Sequence, residues 1–426
     1  MDNILHINYR KEILKNGLQV ILVKDENRSS VALNIWYKVG SANDFPKKSG
    51  LAHLFEHMMF QGSENVAKEE HFRYIQEVGG QLNATTSLDR TNYFETIPPN
   101  ALELALWLES DRMGFLIPAL DQTKLTNQIE VVSNERLQNY DNAPYGLSWE
   151  LIMGNVFPEN HPYHTPTIGY LNEIQSYTLD DVISFFEKYY SPQNASLVIA
   201  GNFDEVKTLD LVKKYFEEIP NKYKIEQPVF PEWEIQENKQ VIHQDNIEFP
   251  RIYFVWKSVK NFHPDDSSLD IMADILSSTK NSKLYKKLVF ELQIALNVAA
   301  FQYSMENEGL FVIMCTVKMG IELSEIKRVI FEEIEKLIQN GVEEEELIVS
   351  KNSIRSSFIW ELDFLQHVAN KINNYNCTLN EPDSFNYDLQ RYSQLKTEDI
   401  KNVTKKYLTK KYFELRIVPK EKENDK

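Results

Sequence analysis

The feature that most constrains this chain is that it repeats itself. At a lag of 218 residues, Asp181-Val182, Tyr189 and Ser191 fall on Asp399-Ile400, Tyr407 and Thr409. Ile199 falls on Ile417, Leu51 on Leu269 and Met58 on Leu276. Matches at a single spacing across otherwise divergent sequence point to a duplication, so the two halves should share one fold. A chain of 426 residues, 42% of them apolar, has core material for two domains of roughly 200 residues each. Residues 220–238 contain Pro220, Pro228 and Pro231 and no steady hydrophobic period, and read as the linker. The expected domains are therefore 1–219 and 239–426.

Within the first half, hairpins alternate with amphipathic helices. Glu12 to Val23 reads as a hairpin turning at Asn16-Gly17, the dipeptide that type I′ turns prefer. Ser30 to Val39 is a strand rich in β-branched and aromatic residues, and 40–48 is a loop. A short helix, His71 to Val78, stops at Gly79-Gly80, and Gln81 to Leu88 with Thr91 to Ile97 forms a second hairpin. Helices follow over Ala101–Phe115, Leu125–Tyr140, Leu179–Tyr190 and Glu205–Ile219, with a strand at Ala195–Ala200. The expected class is α+β: two homologous domains, each an antiparallel β-sheet covered by helices.

One stretch carries chemistry: Gly50-Leu-Ala-His-Leu-Phe-Glu-His-Met-Met-Phe60. At helical spacing His53 and His57 stand at i and i+4 and leave one face a turn apart, with Glu56 close beside them. Two neutral imidazoles supply half the shell of a tetrahedral Zn²⁺, and a neighbouring carboxylate can accept a proton from water that the metal activates. The order H-x-x-E-H is the inverzincin signature. Leu51, Leu54, Phe55, Met58 and Met59 surround it with apolar groups, and three ionisable groups in such a setting are costly unless paired or metal-bound. The lag of 218 places Ile271, Asp274 and Ile275 where His53, Glu56 and His57 stand. One metal site per chain follows. A third ligand is needed, and the 125–140 helix offers Glu130 and Glu135, between which spacing alone does not choose.

The formal charge of −17 argues against nucleic acid and anionic membranes as partners. Cys315 and Cys377 are too few and too far apart for a disulfide scaffold or a structural zinc site. The first residues, MDNILHINYRKE, have no apolar core of signal-peptide length, which reads as cytoplasmic, or periplasmic if a leader has been removed. His161 and His164 have the wrong spacing for a strand face, and Pro162 interrupts a helix, so they read as a structural loop.

These motifs resemble the pitrilysin/insulinase family of zinc peptidases, relatives of the mitochondrial processing peptidase, in their half-length bacterial branch. The resemblance rests on 40–43 (Gly-Ser-Ala-Asn), 50–60, Gly80-Gln-Leu-Asn-Ala-Thr85, Val131-Val-Ser-Asn-Glu135, His161-Pro-Tyr163 and the duplication. It implies a zinc metalloendopeptidase of processing-peptidase-like fold. It also implies Glu135 as the third ligand, since a Glu ends the matching V-V-x-x-E segment, 77 residues beyond His57. Glu56 becomes the catalytic base and Asn83-Ala84-Thr85 an edge strand that pairs with extended peptide. Gln128 stands where many relatives have a second Glu, so a supporting carboxylate there is missing. Relatives that cleave peptides also use an Arg and a Tyr seven residues apart in a C-terminal-half domain. Here those places hold Val289 and Leu296, with Tyr285 or Tyr303 beside a lysine as the alternative source. The implied partner is a homologous subunit that supplies Arg and Tyr, rather than a second copy of this chain. The competing function is a non-catalytic assembly subunit of the same superfamily.

Overall fold

A computed structural model describes residues 5–222 and 224–420. In chain order the first repeat contains β1 (Arg10–Ile13), β2 (Gln19–Lys24), β3 (Val31–Tyr37), α1 (Leu51–Met58), α2 (Glu70–Glu77), β4 (Gln81–Thr86), β5 (Thr91–Ile97), α3 (Leu102–Gly114) and α4 (Gln122–Arg136). It continues with α5 (Ser148–Val156), α6 (Leu171–Ile174), α7 (Leu179–Tyr189), β6 (Ala195–Gly201) and α8 (Glu205–Phe216). The second contains β7 (Lys239–Asp245), β8 (Arg251–Lys257), α9 (Asp266–Ser277), β9 (Ala295–Ser304), β10 (Gly309–Val317) and α10 (Leu323–Asn340). Helices α11 (Glu344–Glu361), α12 (Leu365–Leu379), α13 (Phe385–Ser393) and α14 (Thr397–Leu408) precede β11 (Phe413–Pro419).

The strands form two sheets, β1-β2-β6-β3-β5-β4 and β7-β11-β8-β10-β9. From β2 onward the two orders match place for place, and β6 and β11 coincide at the lag of 218. The duplication read from scattered residues is thus a duplication of topology. Helices cover both sheets, as expected for α+β. The sheets are not purely antiparallel: β2 pairs with β6, and β7 with β11, in parallel. Each of these later strands arrives after a helix and inserts beside β2 or β7, and a return through a helix permits parallel pairing.

The chain divides into two compact units that differ from 1–219 and 239–426. One takes residues up to Arg136, Thr165–Val229 and Phe358–Asn386; the other takes Leu137–His164, Phe230–Ser357 and the residues from Tyr387. The reason lies in α5 and α12, which occupy matching places in the two repeats but each pack on the other repeat's sheet: α12 on β3 and β6, and α5 on β11. Linker residues 220–238 form no helix or strand at the positions described.

In the first unit every residue of β3 is buried, because helices lie on both faces. One face carries Tyr37 and Tyr93 toward Tyr190 and the α1 residue Phe55. The other carries Asn34, Trp36 and Asn92 toward α12, where Asn373 Nδ2 donates to the Asn34 carbonyl (2.8 Å) and Trp36 Nε1 to Asn370 Oδ1 (3.1 Å). The first hairpin is looser than a two-residue turn. Leu14 N–H donates to Leu18 O, enclosing three residues, and Gly17 takes the left-handed conformation at φ 88°. The 125–140 helix starts earlier, at Gln122, and passes into a π-helical turn over Leu137–Asp141.

Candidate metal centre

Helix α1 begins at Gly50, which has φ 85° and no room for a side chain: a Cβ there would lie 2.4 Å from the Ile168 carbonyl oxygen. The Asp44 carboxylate, from the loop before it, accepts the N–H groups of Gly50 (2.6 Å) and Ala52 (2.8 Å) and so satisfies the helix's first donors. Leu51, Ala52, Leu54, Phe55 and Met58 turn into the core. What remains is the half-buried face of His53, Glu56 and His57. Helix α4 packs on α1 and is anchored at its end by Arg136, whose Nη1 donates to the Gly169 carbonyl (2.5 Å). This sets the preceding residue, Glu135, against both imidazoles.

Glu135 Oε2 lies 3.4 Å from His57 Nε2, and Oε1 lies 3.8 Å from His53 Nε2. One ligand atom from each of the three residues falls within 4.8 Å of the other two. Ligands at 2.0–2.2 Å from a tetrahedral zinc stand about 3.3–3.6 Å apart, so the residues fit the ion with small side-chain adjustments. The electrostatics agree. Burial, with the neighbouring His57, pushes His53 down to about 4, which keeps it neutral and able to ligate at neutral pH. The contact with the His57 imidazole holds Glu135 below the usual carboxylate range, against the opposing effect of burial. Glu130, the other acidic candidate on α4, is exposed and outside the cluster.

Glu56 faces the same space. Burial raises its pKa, while the Thr86 hydroxyl, which donates to Glu56 Oε2 at 2.5 Å, opposes the rise. A carboxylate set above its usual range and held by one hydrogen bond is suited to accept and release a proton. Thr86 escaped the sequence reading, as did Asp44. A threonine in an alternating strand gives no signal until the register places it beside the helix.

Strand β4, with Asn83, Ala84 and Thr85, is the edge of its sheet. The Ala84 N–H donates to Asn83 Oδ1 (2.9 Å), a local cap on an edge donor. Gln128 is buried, and its amide nitrogen bonds to Asn127 Oδ1 (3.1 Å). His161 and His164 serve the loop: His161 Nδ1 accepts the Tyr163 N–H (3.1 Å), and His164 Nδ1 lies 2.9 Å from the Phe157 carbonyl.

A second group, His71, Glu95 and Glu109, also meets the distance condition for a metal. All three residues are buried in the core. Glu109 forms an ion pair with Arg112, burial and Glu109 raise Glu95 well above its usual range, and burial lowers His71 well below its own. Both shifts disfavour the charged forms of Glu95 and His71, which leaves Glu109 and Arg112 as the ion pair of the cluster. The sequence signal was a glutamate at a core-facing position of β5.

In the second unit Ile271 and Ile275 lie in the hydrophobic core at the places of the two histidines. Val289 is partly buried against that core, and Leu296 is 41% exposed at the start of β9. Among the described residues, no helix is long and apolar enough to cross a membrane.

A family model described as Insulinase (Peptidase family M16) matches residues 19–161, and one described as Peptidase M16 inactive domain matches residues 176–354. Zinc protease PqqE of Helicobacter pylori is 29% identical over 401 residues, 92% of this chain and 89% of that protein. A crystal structure of a protease from Helicobacter pylori superposes with a TM-score of 0.92 at 28% identity, covering 97% of this chain and all of that one. The structure of a peptidase M16 inactive domain from Pseudomonas fluorescens shares the fold at TM-score 0.84 and 17% identity, covering 97% of this chain and 98% of that one.

Proposed function

The chain belongs to peptidase family M16, and on that premise we propose that it is a zinc-dependent metalloendopeptidase whose single catalytic site lies in the first unit. The observation that carries this reading is the convergence of His53, His57 and Glu135 from two helices, with Glu56 on the same face. Those three residues would hold the ion. Bound there, zinc supplies Lewis acidity toward water and toward the scissile carbonyl.

The chain's own groups do the rest. Glu56 accepts the proton of the attacking water and delivers it to the leaving amine, and its raised pKa makes the return of that proton easier. Thr86 fixes the carboxylate's orientation through Oε2. Strand β4 receives an extended peptide along its free edge, the peptide replacing Asn83 Oδ1 as the acceptor for Ala84 N–H. Backbone pairing of this kind supplies affinity with broad sequence tolerance, so unfolded polypeptides and peptides are the substrate class.

The second half of the reading is a partner. Val289 and Leu296 stand where peptide-cleaving relatives use Arg and Tyr, and neither side chain can donate a hydrogen bond to a developing oxyanion. A homologous subunit of similar size, with degenerate zinc ligands and an intact Arg/Tyr pair, would complete the site as a heterodimer. The test is to assay peptide hydrolysis by the purified zinc-loaded chain alone and after mixing with such a subunit. Activity that appears only in the mixture supports the heterodimer. Full activity of the isolated chain, unchanged by the partner, removes the heterodimer and leaves the peptidase. An intact zinc site that hydrolyses nothing in either case favours the non-catalytic assembly subunit.

A further inference from the structure

The sheet of the first unit has a second functional-looking face, opposite the metal. Side chains along β4 alternate: Thr86 turns toward Glu56, whereas Thr85 turns toward Asn92 on the α12 side. On that side a cavity of about 440 Å³ opens between Trp36, Arg90 and the α12 residues His367, Asn370, Lys371 and Asn374. We propose that this cavity is a carboxylate-binding subsite for peptides lying along β4, with Arg90 as its principal ligand. This inference rests on the strand-addition reading above.

Arg90 stands at the β4–β5 turn with its guanidinium 5.2 Å from the Trp36 ring centre. It donates from Nη1 to the Thr85 carbonyl (3.1 Å), to Thr85 Oγ1 and to Asn92 Oδ1 (2.6 Å). All these hydrogen bonds leave one nitrogen and none goes to a carboxylate, so Nε and Nη2, the edge that can give a carboxylate two parallel bonds, make no hydrogen bond to the protein. The only acidic side chain lining the cavity, Glu361, is held by Lys371 (3.0 Å). Asn370 gives its Oδ1 to the Trp36 indole, leaving its amide N–H₂ as a further donor. Within the lining, Arg90 is therefore the cation without an ion-pair partner; the carboxylate that acts on it, Glu56, lies outside the lining, on the metal side of the sheet. Burial lowers the Arg90 pKa, a penalty that a bound carboxylate would offset.

Geometry links the cavity to the chemistry. A peptide added to β4 places successive side chains on opposite faces. Side chains of one parity pass the metal face, and those of the other run beside Thr85 and reach Arg90. The subsite would select an acidic side chain at positions of one parity. A peptide's terminal carboxylate carries the same chemistry.

The test uses the zinc-loaded Glu56→Gln protein, in which binding is measured without hydrolysis. Labelled, acetylated and amidated short peptides carry Glu, Gln or Lys at each position in turn, and affinity is read by fluorescence anisotropy. Glu should bind about tenfold tighter than Gln at positions of one parity only, with Lys weaker than both. Arg90→Met should bring the Glu/Gln ratio to about one. Because that change also removes bonds to Thr85 and Asn92, Asn374→Asp provides the second variant. It adds a negative charge to the cavity without touching β4, and should weaken the Glu peptides while leaving the Gln peptides unchanged. Free-acid peptides that gain over amides, with no Glu/Gln difference, would assign the subsite to the chain terminus. Peptides that bind with no Glu/Gln and no acid/amide difference overturn the subsite and leave the peptidase reading intact. A protein that shows the Glu preference but, as wild type, hydrolyses nothing either alone or with the homologous subunit would sink the peptidase reading and keep the subsite. Failure of every peptide to bind removes the strand site and this inference with it.

Discussion

The two units place nearly the same strand order under helices in corresponding positions, yet among the described residues only the first gathers metal-ligating side chains on them. At α1 the half-buried stripe is His53, Glu56 and His57; at the equivalent turns of α9, Ile271 and Ile275 are absorbed into the core. Burial explains why the loss in one unit leaves the fold standing. An isoleucine in that position adds apolar surface to its own helix interface, whereas a histidine there requires a ligand. The fold is carried by the many positions that agree between the repeats, and the chemistry by four side chains on two helices of one repeat.

The largest test of that contrast is at Glu135. Glu135→Ala should weaken zinc binding by several orders of magnitude, while Glu130→Ala, on the exposed side of the same helix, should leave metal content near one per chain. Metal analysis after dialysis reads both, and the reverse result would move the third ligand to Glu130.

Next in size is the attempt to rebuild a site in the second unit. Ile271→His with Ile275→His places two imidazoles in a sealed core, and should cost about 3 kcal/mol or more in denaturant unfolding without adding a second zinc. A stable double variant with two zinc ions would mean that the second unit lost its site by side chains alone.

The units should also separate under acid. Burial lowers both His53 and His161 to about 4 from an ordinary 6.5. In each case the unfolded chain binds the proton first, so the stability is present above pH 6.5 and is lost as pH falls toward 4. The metal-free protein should therefore lose up to a few kcal/mol across that window. His161→Phe, which keeps the stack on Phe157, should remove the second unit's share, and zinc should protect only the first unit's. Unfolding curves at pH 7, 5.5 and 4.5 that are parallel for all forms would contradict the assignment.

The smallest effect is at Thr86. Thr86→Val removes the hydroxyl that opposes the rise in the Glu56 pKa, so the acid limb of the pH–rate profile should move upward, by less than about one unit. No shift would place Thr86 outside the base's environment, and a downward shift would reverse the sign assigned to its hydroxyl.

Much of this was legible in the sequence, for definite reasons. His53, Glu56 and His57 are local in sequence, so helical spacing alone sets them on one face, and the lag of 218 reports both the duplicated sheet and its missing histidines. Glu135 was not legible from spacing. It and Glu130 share α4, and only the packing of α4 on α1 separates a half-buried carboxylate from an exposed one. The exchanged helices α5 and α12 were hidden for a similar reason: an amphipathic period tells that a helix has a buried face, not which sheet buries it. The parallel pairing of β6 and β11 depends on where a returning strand inserts, which no local pattern encodes.

The central claim is that three side chains of the first unit hold zinc while a fourth, Glu56, moves the proton. The most direct test is the zinc content of Glu56→Gln, measured beside its peptide hydrolysis under conditions where the wild type is active. One zinc per chain with hydrolysis all but abolished is the predicted result. Loss of zinc from that variant would make Glu56 a ligand, and retained hydrolysis would remove it as the base; either would contradict the account.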